Sequence, residues 1–267
     1  MRPCCGRLYG AATRRSVANV TKMQKILQHT HLPLARELLA RSAPTSSVGA
    51  TTRERLLAES SIQRHPADRV LSRRDEPVTE LLLILDGSLE VSTRDRDGRR
   101  SICWYLATGQ WMGLIPLIDG RGAIHDLRSH TSCVLLHIPR TAFSCALHDD
   151  PQLALACLNL LCERSRALYA LQAAEALLSL RGRLAGLLLA LAARHGRDGE
   201  RGLELTLRLS QDELADMLGI TRQSLNRELK TLERQSLISI ARARITLQDL
   251  TGLRRLAGSD VQVLQVD

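Results

Sequence analysis

Two helix-start signals separated by a glycine constrain the fold of this chain more than any other feature of its sequence. Ser210 and Glu213 have the spacing of a capping box, in which both side chains bond to free backbone N–H groups at the start of a helix. Gly219 stands where the chain must turn, and Thr221 is suited to cap a second helix. The leucines expected to face inward from that helix are Leu225, Leu229 and Leu232. Residues 210–235 therefore predict a helix-turn-helix.

The second predicted helix carries polar side chains on the face opposite its leucines. In the major groove of DNA, the guanidinium group of arginine can form two hydrogen bonds with guanine, and side-chain amides can bond to adenine or to phosphate oxygens. The expected base-reading residues are Arg222, Gln223, Asn226 and Arg227. A two-stranded wing is expected at 237–241 and 244–247. The expected contacts to the DNA backbone are Ser210, Thr221, Ser224, Lys230, Arg242 and Arg244. Each residue taken singly is equally explained as a solvated surface group, whereas the whole set predicts double-stranded DNA as a partner.

The charge and motif content of the chain narrow the class of protein. The formal net charge of +9 favours an anionic partner, although an arginine-biased genome explains the excess equally well. The sequence has no phosphate-binding loop, nucleophile elbow or paired-carboxylate pattern, so no enzyme is predicted. It also has no uncharged apolar stretch of about 18 residues, which predicts a cytoplasmic protein without a membrane span.

The seven cysteines lack the spacing of a zinc site, and no metal is predicted. Cys103 and Cys133 lie in strand-like apolar runs, where they are interpreted as small buried hydrophobic residues in a reducing compartment. The adjacent Cys4 and Cys5 are too few, and wrongly spaced, to hold an iron–sulfur cluster.

Between about 68 and 138 the sequence consists of short strand-like runs separated by turn signals. The runs are LLLIL (81–85), SLEVST (88–93), RSICWYL (100–106) and TSCVLLHI (131–138). Asp97-Gly98 between the second and third is a strong hairpin signal, because both residues tolerate positive φ. Regular strands with glycine turns predict a small antiparallel barrel or roll.

Helical periodicity appears on both sides of the strand region. Short helices are expected at 31–41, 53–60 and 139–147, and longer ones at 150–177 and about 180–195. The 150–177 helix has an apolar stripe at mostly three- and four-residue steps, interrupted by Arg164. A helix of this length is usually a core spine or a dimer seam. The stripe consists of Leu153, Cys157, Leu160, Leu161, Leu168 and Leu171.

The order of these parts resembles the CRP/FNR superfamily of bacterial regulators over roughly residues 55–248. The segment LSQDELADMLGITRQSLNRELKTLERQSLIS is similar to the DNA-binding signature of that family, and Gly87, Gly98, Gly109 and Gly113 look like the turn glycines of its roll. The resemblance implies a homodimer joined through the 150–177 helix, bound to a near-palindromic operator, with RNA polymerase as a further partner. Gln223 stands where catabolite activators usually have a glutamate, which implies a different half-site preference.

The predicted fold class is α+β, with an antiparallel β-roll, a long helix and a C-terminal winged helix-turn-helix. We expect a partly flexible N-terminal extension (1–52), a β-roll sensor domain (53–148), a dimerisation helix (149–178), a winged helix-turn-helix domain (179–250) and a C-terminal tail (251–267).

The sensor region departs from the pattern of family members that bind cyclic AMP. Those members carry a Gly-Glu-Leu segment, whose glutamate holds the ribose, and an Arg-Ser/Thr-Ala segment, whose arginine pairs with the phosphate. Here the corresponding segments read Gly-Leu-Ile-Pro (113–116) and Ala-Ile-His-Asp (123–126), and only Arg121 or Arg128 is near enough in sequence to compensate. The expected effector pocket contains Gly113, Leu114, Ile124 and His125, with an unknown effector that is not cyclic AMP.

A haem-based gas or redox sensor of the same fold is the alternative, although no cofactor is the leading expectation. The sensor half contains histidines and cysteines that are able to act as axial ligands, while isolated histidines on a β-roll are more often structural. The candidate ligands are His125, His130, His137, Cys103 and Cys133.

Overall fold

The computed structural model describes residues 26–98, 100–241 and 244–258. Residues 1–25, including Cys4 and Cys5, and the predicted contact residue Arg242 lie outside the described part. Within that part, no helix is both long and apolar enough to cross a membrane. The elements confirm the predicted α+β class, with antiparallel sheets, one long helix and a C-terminal helix-turn-helix.

Two helices precede the strands, namely α1 (residues 26–41) and α2 (Ala50–Ala58). Ala35 and Leu39, four residues apart on one face of α1, are buried in the same core as Phe143. Residues 26–52 therefore pack against the roll, whereas the sequence pattern predicted an extension that ends at 52. Both helices also begin earlier than their sequence patterns suggested.

The described residues form eight strands of an antiparallel roll, arranged as two four-stranded sheets. One sheet has the order β1-β8-β3-β6, and the other has the order β2-β7-β4-β5. A six-residue helix, α3 (Leu114–Asp119), connects β6 to β7. The strands are β1 (Ser61–His65), β2 (Val70–Ser72), β3 (Glu80–Asp86), β4 (Leu89–Arg94), β5 (Arg100–Leu106), β6 (Trp111–Met112), β7 (Asp126–Ser129) and β8 (Cys133–Pro139).

The long helix belongs to the core for only part of its length. It is preceded by α4 (Arg140–Asp149) and spans Pro151–Leu177 as α5, with the Asp150 side chain accepting from the Gln152 backbone N–H at its start. The helix residues buried in the core all come from its first half, and its second half exposes large apolar side chains. Those exposed side chains are Leu168, Tyr169, Leu171 and Leu177.

The C-terminal unit is built around α6 (Leu180–His195), α7 (Gln211–Leu218) and α8 (Arg222–Arg234). The wing is part of a four-stranded antiparallel sheet of order β11-β12-β10-β9, so the expected two strands are joined by a second hairpin. These strands are β9 (Gly196–Gly199), β10 (Gly202–Leu205), β11 (Ile238–Ala241) and β12 (Arg244–Leu247).

A helix covers the first seven residues of the predicted C-terminal tail. This helix, α9 (Leu250–Ala257), begins where the Asp249 side chain accepts from the Gly252 backbone N–H. Leu253 and Ala257 lie on one face of α9 and are buried in the core that α6 also helps to form. Residues 251–257 therefore belong to the helix-turn-helix unit. Residues 259–267 lie outside the described part.

Candidate nucleic-acid interface and ligand cavity

The helix-turn-helix has the caps that its sequence predicts. The Ser210 Oγ accepts from the Glu213 backbone N–H at 3.2 Å, and the Glu213 Oε2 accepts from the Ser210 backbone N–H at 2.7 Å. Gly219 ends α7 in the left-handed conformation with φ of 64°. The Thr221 Oγ1 then accepts from the Ser224 backbone N–H at 3.2 Å and starts α8. The capping box, the glycine turn and the second cap are all confirmed.

The predicted base-reading residues share the solvent-facing side of α8. Arg222, Gln223 and Arg227 are exposed, and Asn226 is half-buried. At 3.6 residues per turn, these four side chains fall within an arc of about 140°, which is narrow enough to face one groove. The opposite face is buried against α7 through the three leucines predicted to face inward, Leu225, Leu229 and Leu232.

The two arginines of this face are exposed and make weak polar contacts. The Arg222 Nη1 lies 3.3 Å from the Asp212 Oδ2, with both side chains more than half exposed. The Arg227 Nε lies 4.0 Å from the Glu228 Oε1; the arginine side chain is 73% exposed and the glutamate side chain is 13% exposed. An exposed pair such as that of Arg222 contributes at most about 1 kcal/mol, so exchanging it for contacts with DNA costs little.

The predicted backbone-contacting residues surround this face. Ser210 and Thr221 are exposed at the starts of α7 and α8, where free backbone N–H groups attract phosphate. Ser224 is half-buried, and Lys230 is exposed two turns along α8. Arg244 is exposed at the beginning of β12.

All four predicted pocket residues, Gly113, Leu114, Ile124 and His125, line one partly open cavity of about 440 Å³. The cavity lies between the roll, α3 and α5. Gly113 has φ of 102°, and a Cβ there would lie 3.0 Å from the Glu80 carbonyl oxygen, so both conformation and space favour glycine. The structure therefore brings these four residues to one surface, which is a geometric result and leaves their role to experiment.

The charged residues that line the cavity are Arg69, Glu80 and Arg164, and none of them lies in the segments 113–116 and 123–126, where the resemblance places a cyclic-nucleotide-binding pair. Neither Arg121 nor Arg128 lines the cavity. Arg121 borders a different depression, and the Arg128 guanidinium lies 3.8 Å from the Asp68 carboxylate. Glu80 does line the cavity, but its Oε2 is 2.8 Å from the His137 Nδ1.

The five candidate haem ligands are divided between different places. His130 and Cys133 do not line the cavity: the His130 Nε2 lies 3.2 Å from the Arg208 carbonyl oxygen, and Cys133 is buried in β8. His137 lines the cavity with both ring nitrogens in contact, through Glu80 and the His65 Nε2 at 3.1 Å. Cys103 and His125 remain, with Sγ and Nδ1 4.0 Å apart on the wall.

Two buried histidines, His65 and His137, contact each other on the cavity wall. Burial, together with the charge interactions of His137 and Arg69, lowers the pKa of His65 to about 4, so His65 is held in its neutral form. The His65 Nδ1 is buried without a hydrogen-bond partner. No sequence pattern indicates this pair, because the two histidines are 72 residues apart and meet only through the pairing of β1 with β8.

A polar junction, also absent from the sequence predictions, connects the roll to the helix-turn-helix. The Tyr105 hydroxyl on β5 donates to the Glu213 Oε1 on α7 at 3.1 Å. Glu90, His130 and Glu213 place one potential ligand atom each within 4.8 Å of one another, and Arg100 pairs with Glu90 at 3.2 Å. Although burial opposes it, hydrogen bonds from Ser210 and Tyr105 keep the pKa of Glu213 below its ordinary value. Glu213 therefore serves both the capping box and the junction.

Comparison with known proteins agrees with this geometry. The family model of the cyclic nucleotide-binding domain matches residues 62–150, and that of the Crp-like helix-turn-helix domain matches residues 182–256, together more than half of the chain. The cAMP-activated global transcriptional regulator CRP of Haemophilus influenzae is 27% identical over 187 residues, which cover 68% of this chain and 81% of that protein.

Solved structures give the same result for the fold. A CRP-family transcriptional regulator from Thermus thermophilus has a TM-score of 0.62 at 27% identity, covering 75% of this chain and 99% of that one. The c-di-GMP-responsive global regulator CLP of Xanthomonas campestris has a TM-score of 0.62 at 25% identity, covering 75% and 100%. These relatives are transcription regulators and not enzymes. The chain belongs to the CRP/FNR family of DNA-binding transcription regulators.

Proposed function

We propose that two copies of this chain bind a near-palindromic operator in the bacterial cytoplasm, each placing α8 in the major groove. The exposed polar side of α8, on a helix with a buried leucine face and intact caps, is the observation that carries the proposal. Dimeric proteins of this type read half-sites about one helical turn, or roughly 34 Å, apart. Arg222, Gln223, Asn226 and Arg227 would read bases, while the caps and the wing would position the protein on phosphates.

The second half of α5 is the proposed dimer seam. Leu168, Tyr169 and Leu177 are 66%, 72% and 82% exposed in the single chain. An apolar helical face of this kind is stabilised when a second copy covers it. The relatives that are global transcriptional regulators support RNA polymerase as a further partner of the DNA-bound dimer.

The cavity is the proposed effector site. Leu168 and Leu171 of α5 both line the cavity and are exposed, so an occupant would touch the helix proposed as the dimer seam. Such a ligand shifts the arrangement of the two DNA-binding units only if it binds one arrangement better than the other. Although relatives are activated by cAMP, the glutamate and the arginine of the cyclic-nucleotide-binding segments are absent from positions 113–116 and 123–126 of this chain, which argues against cyclic AMP here. Isothermal titration should detect no cyclic AMP binding at micromolar concentrations, and micromolar or tighter affinity would overturn this part.

The DNA-binding proposal is tested with the double variant Arg222→Ala/Arg227→Ala. Each guanine-reading arginine contributes about 1–3 kcal/mol, so the double variant should bind operator DNA at least about thirtyfold more weakly. The readout is fluorescence anisotropy on fragments selected by the wild-type protein. The matched control is Arg41→Ala/Arg64→Ala, which removes the same charge from exposed positions on α1 and β1. Undiminished operator binding by the first variant would contradict the proposal.

Haem-dependent sensing is the second candidate, supported by the position of Cys103 beside His125 on the cavity wall. These two side chains would hold the haem, which would supply an iron centre that responds to a gas or to redox state. The test is the absorption spectrum of protein produced with haem supplied. A Soret band that is lost in Cys103→Ala and His125→Ala would support this candidate, and a featureless Soret region would end it.

A further inference from the structure

Unsatisfied polar atoms are concentrated at the cavity. Among the described residues, five buried side-chain nitrogens have no hydrogen-bond partner, and four of them belong to residues that line the cavity. Each such group costs about 1–3 kcal/mol, so the residues of the cavity wall are less well satisfied than those of the rest of the described chain. The four atoms are the His65 Nδ1, the Trp104 Nε1, the Trp111 Nε1 and the Arg164 Nε. Three of the four are N–H donors, which require an acceptor.

Arg164 is the strongest of these donors. Its Nη2 donates to the Trp111 carbonyl oxygen at 2.7 Å, and its Nε has no partner. No carboxylate within the described ranges forms an ion pair with it, and burial lowers its pKa. A guanidinium held away from water without an anion is destabilising, whereas a carboxylate can accept two parallel N–H bonds from it. Arg164, which interrupts the apolar stripe of α5, is therefore a cation without an ion-pair partner on the cavity wall.

The remaining wall is mainly apolar. Val91, Leu106 and Leu127 line it from the roll, and Leu168 and Leu171 line it from α5. A bound water needs two to four polar partners, which such a wall does not provide over most of its area. The wall therefore suits an occupant with one acidic end and an apolar body.

We infer that the cavity binds an organic acid with an apolar body, such as a fatty or aryl carboxylate, whose carboxylate pairs with Arg164. Trp104 and Trp111 line the same wall, and their indole Nε1 atoms are buried without a hydrogen-bond partner. The volume of about 440 Å³ lies within the range of roughly 300–1,000 Å³ that holds drug-sized ligands. This inference deepens the proposed function and rests on the cavity being its effector site.

The experiment measures carboxylate binding to the intact protein without DNA. The chain has two tryptophans, and because both line the cavity, their fluorescence reports on its occupancy. The probes are decanoate and 2-naphthoate, with decanol as the neutral counterpart of decanoate; naphthoate binding is followed by isothermal titration because it absorbs light. The variants are Arg164→Met, which removes the charge at similar length, and Arg164→Lys, which keeps the charge but loses the planar fork. The matched control is Arg166→Met, which removes an exposed arginine from the same helix.

At least one of the two carboxylates should bind the wild-type protein with one molecule per chain. Arg164→Met should weaken that binding at least about tenfold, as expected for a charge-assisted contact, while decanol binding changes less than about twofold. Arg164→Lys should give an intermediate loss, and Arg166→Met should give none. Thermal melts of each variant establish that it is folded, and Arg164→Lys keeps a donor for the Trp111 carbonyl oxygen, which Arg164→Met removes.

Three results would overturn the inference. These are no binding of either carboxylate below about 1 mM, equal binding by wild type and Arg164→Met, or displacement of the bound carboxylate by a lower concentration of cyclic AMP. The DNA-binding proposal fails independently of these outcomes. The Arg222→Ala/Arg227→Ala variant should bind the carboxylate like the wild type, because the altered side chains lie on α8 and do not line the cavity.

Discussion

The recognition helix α8 and the sensor cavity present their polar groups in opposite ways. On α8 the polar side chains lie on one side of a single helix, and both of its candidate base-reading arginines are exposed. At the cavity the polar side chains come from β1, β5, β6 and α5, and four of their buried atoms have no partner. The first arrangement is available to a charged macromolecule, and the second is the one to which we assign a small organic acid. The DNA-binding residues of this chain can therefore be recognised from its sequence, whereas the residues that would bind its effector are brought together only by the tertiary structure.

The largest expected effect is a difference in the free energy of unfolding between substitutions on the buried face and on the exposed face of α8. Leu229→Ala removes a buried side chain between α7 and α8, and should lower the free energy of unfolding by about 2–5 kcal/mol because the cavity left behind cannot collapse fully. Lys230→Ala, at the next and exposed position, should change it by less than about 0.5 kcal/mol. Urea denaturation measures both values. Similar losses for the two variants would mean that the faces of α8 are not divided as described.

A smaller effect is expected at the cavity, where His65 should make the stability of the protein depend on pH. Because burial lowers the pKa of His65 to about 4, its protonation favours the unfolded chain, where the pKa is near 6.5. Its contribution to stability is complete above pH 6.5 and is lost as the pH falls from 6.5 to about 4, by up to about 3 kcal/mol. His65→Gln keeps a side chain able to donate to His137 and should flatten this part of the pH profile. Urea denaturation at half-unit pH steps tests this, and an unchanged slope in the variant would count against it.

The smallest expected effect concerns the wing. Arg244→Ala should weaken binding to operator and scrambled DNA by the same factor, and should reduce the salt dependence by about one phosphate contact, since an exposed residue beside the backbone carries no sequence information. Anisotropy titrations across a series of salt concentrations measure both slopes. A loss confined to the operator would instead place Arg244 among the base-reading residues.

Elements with their own periodic pattern could be predicted from the sequence, and short ones could not. The run LLLIL at 81–85 lies within β3, and SLEVST at 88–93 nearly coincides with β4. Strands β2, β6 and β7 have three, two and four residues, which are too few for an alternating pattern to be recognised. The sequence predicted a tail after residue 250, where the structure has α9, because a helix of eight residues is too short for its amphipathic pattern to stand out.

The two candidate sites differ in the same way. The DNA-facing residues occupy one continuous helix, so residue spacing alone places them on one side. The pocket residues Gly113 and His125 could be predicted because they occupy motif positions. Arg164, His65 and Tyr105 occupy no such positions, and their roles could not be predicted. These three act through partners 53, 72 and 108 residues away, at distances that only the folded chain sets. Sequence periodicity therefore reveals a surface more readily than it reveals the inside of a cavity.

Selection of genomic DNA fragments by the purified protein, followed by sequencing, tests the central claim most directly. The account predicts an enriched motif with two inverted half-sites whose centres are about one helical turn apart, and loss of that motif with the Arg222→Ala/Arg227→Ala variant. A motif without inverted symmetry would contradict the proposed dimer on its operator. No enriched motif, or the same motif from the double variant, would contradict base reading by α8.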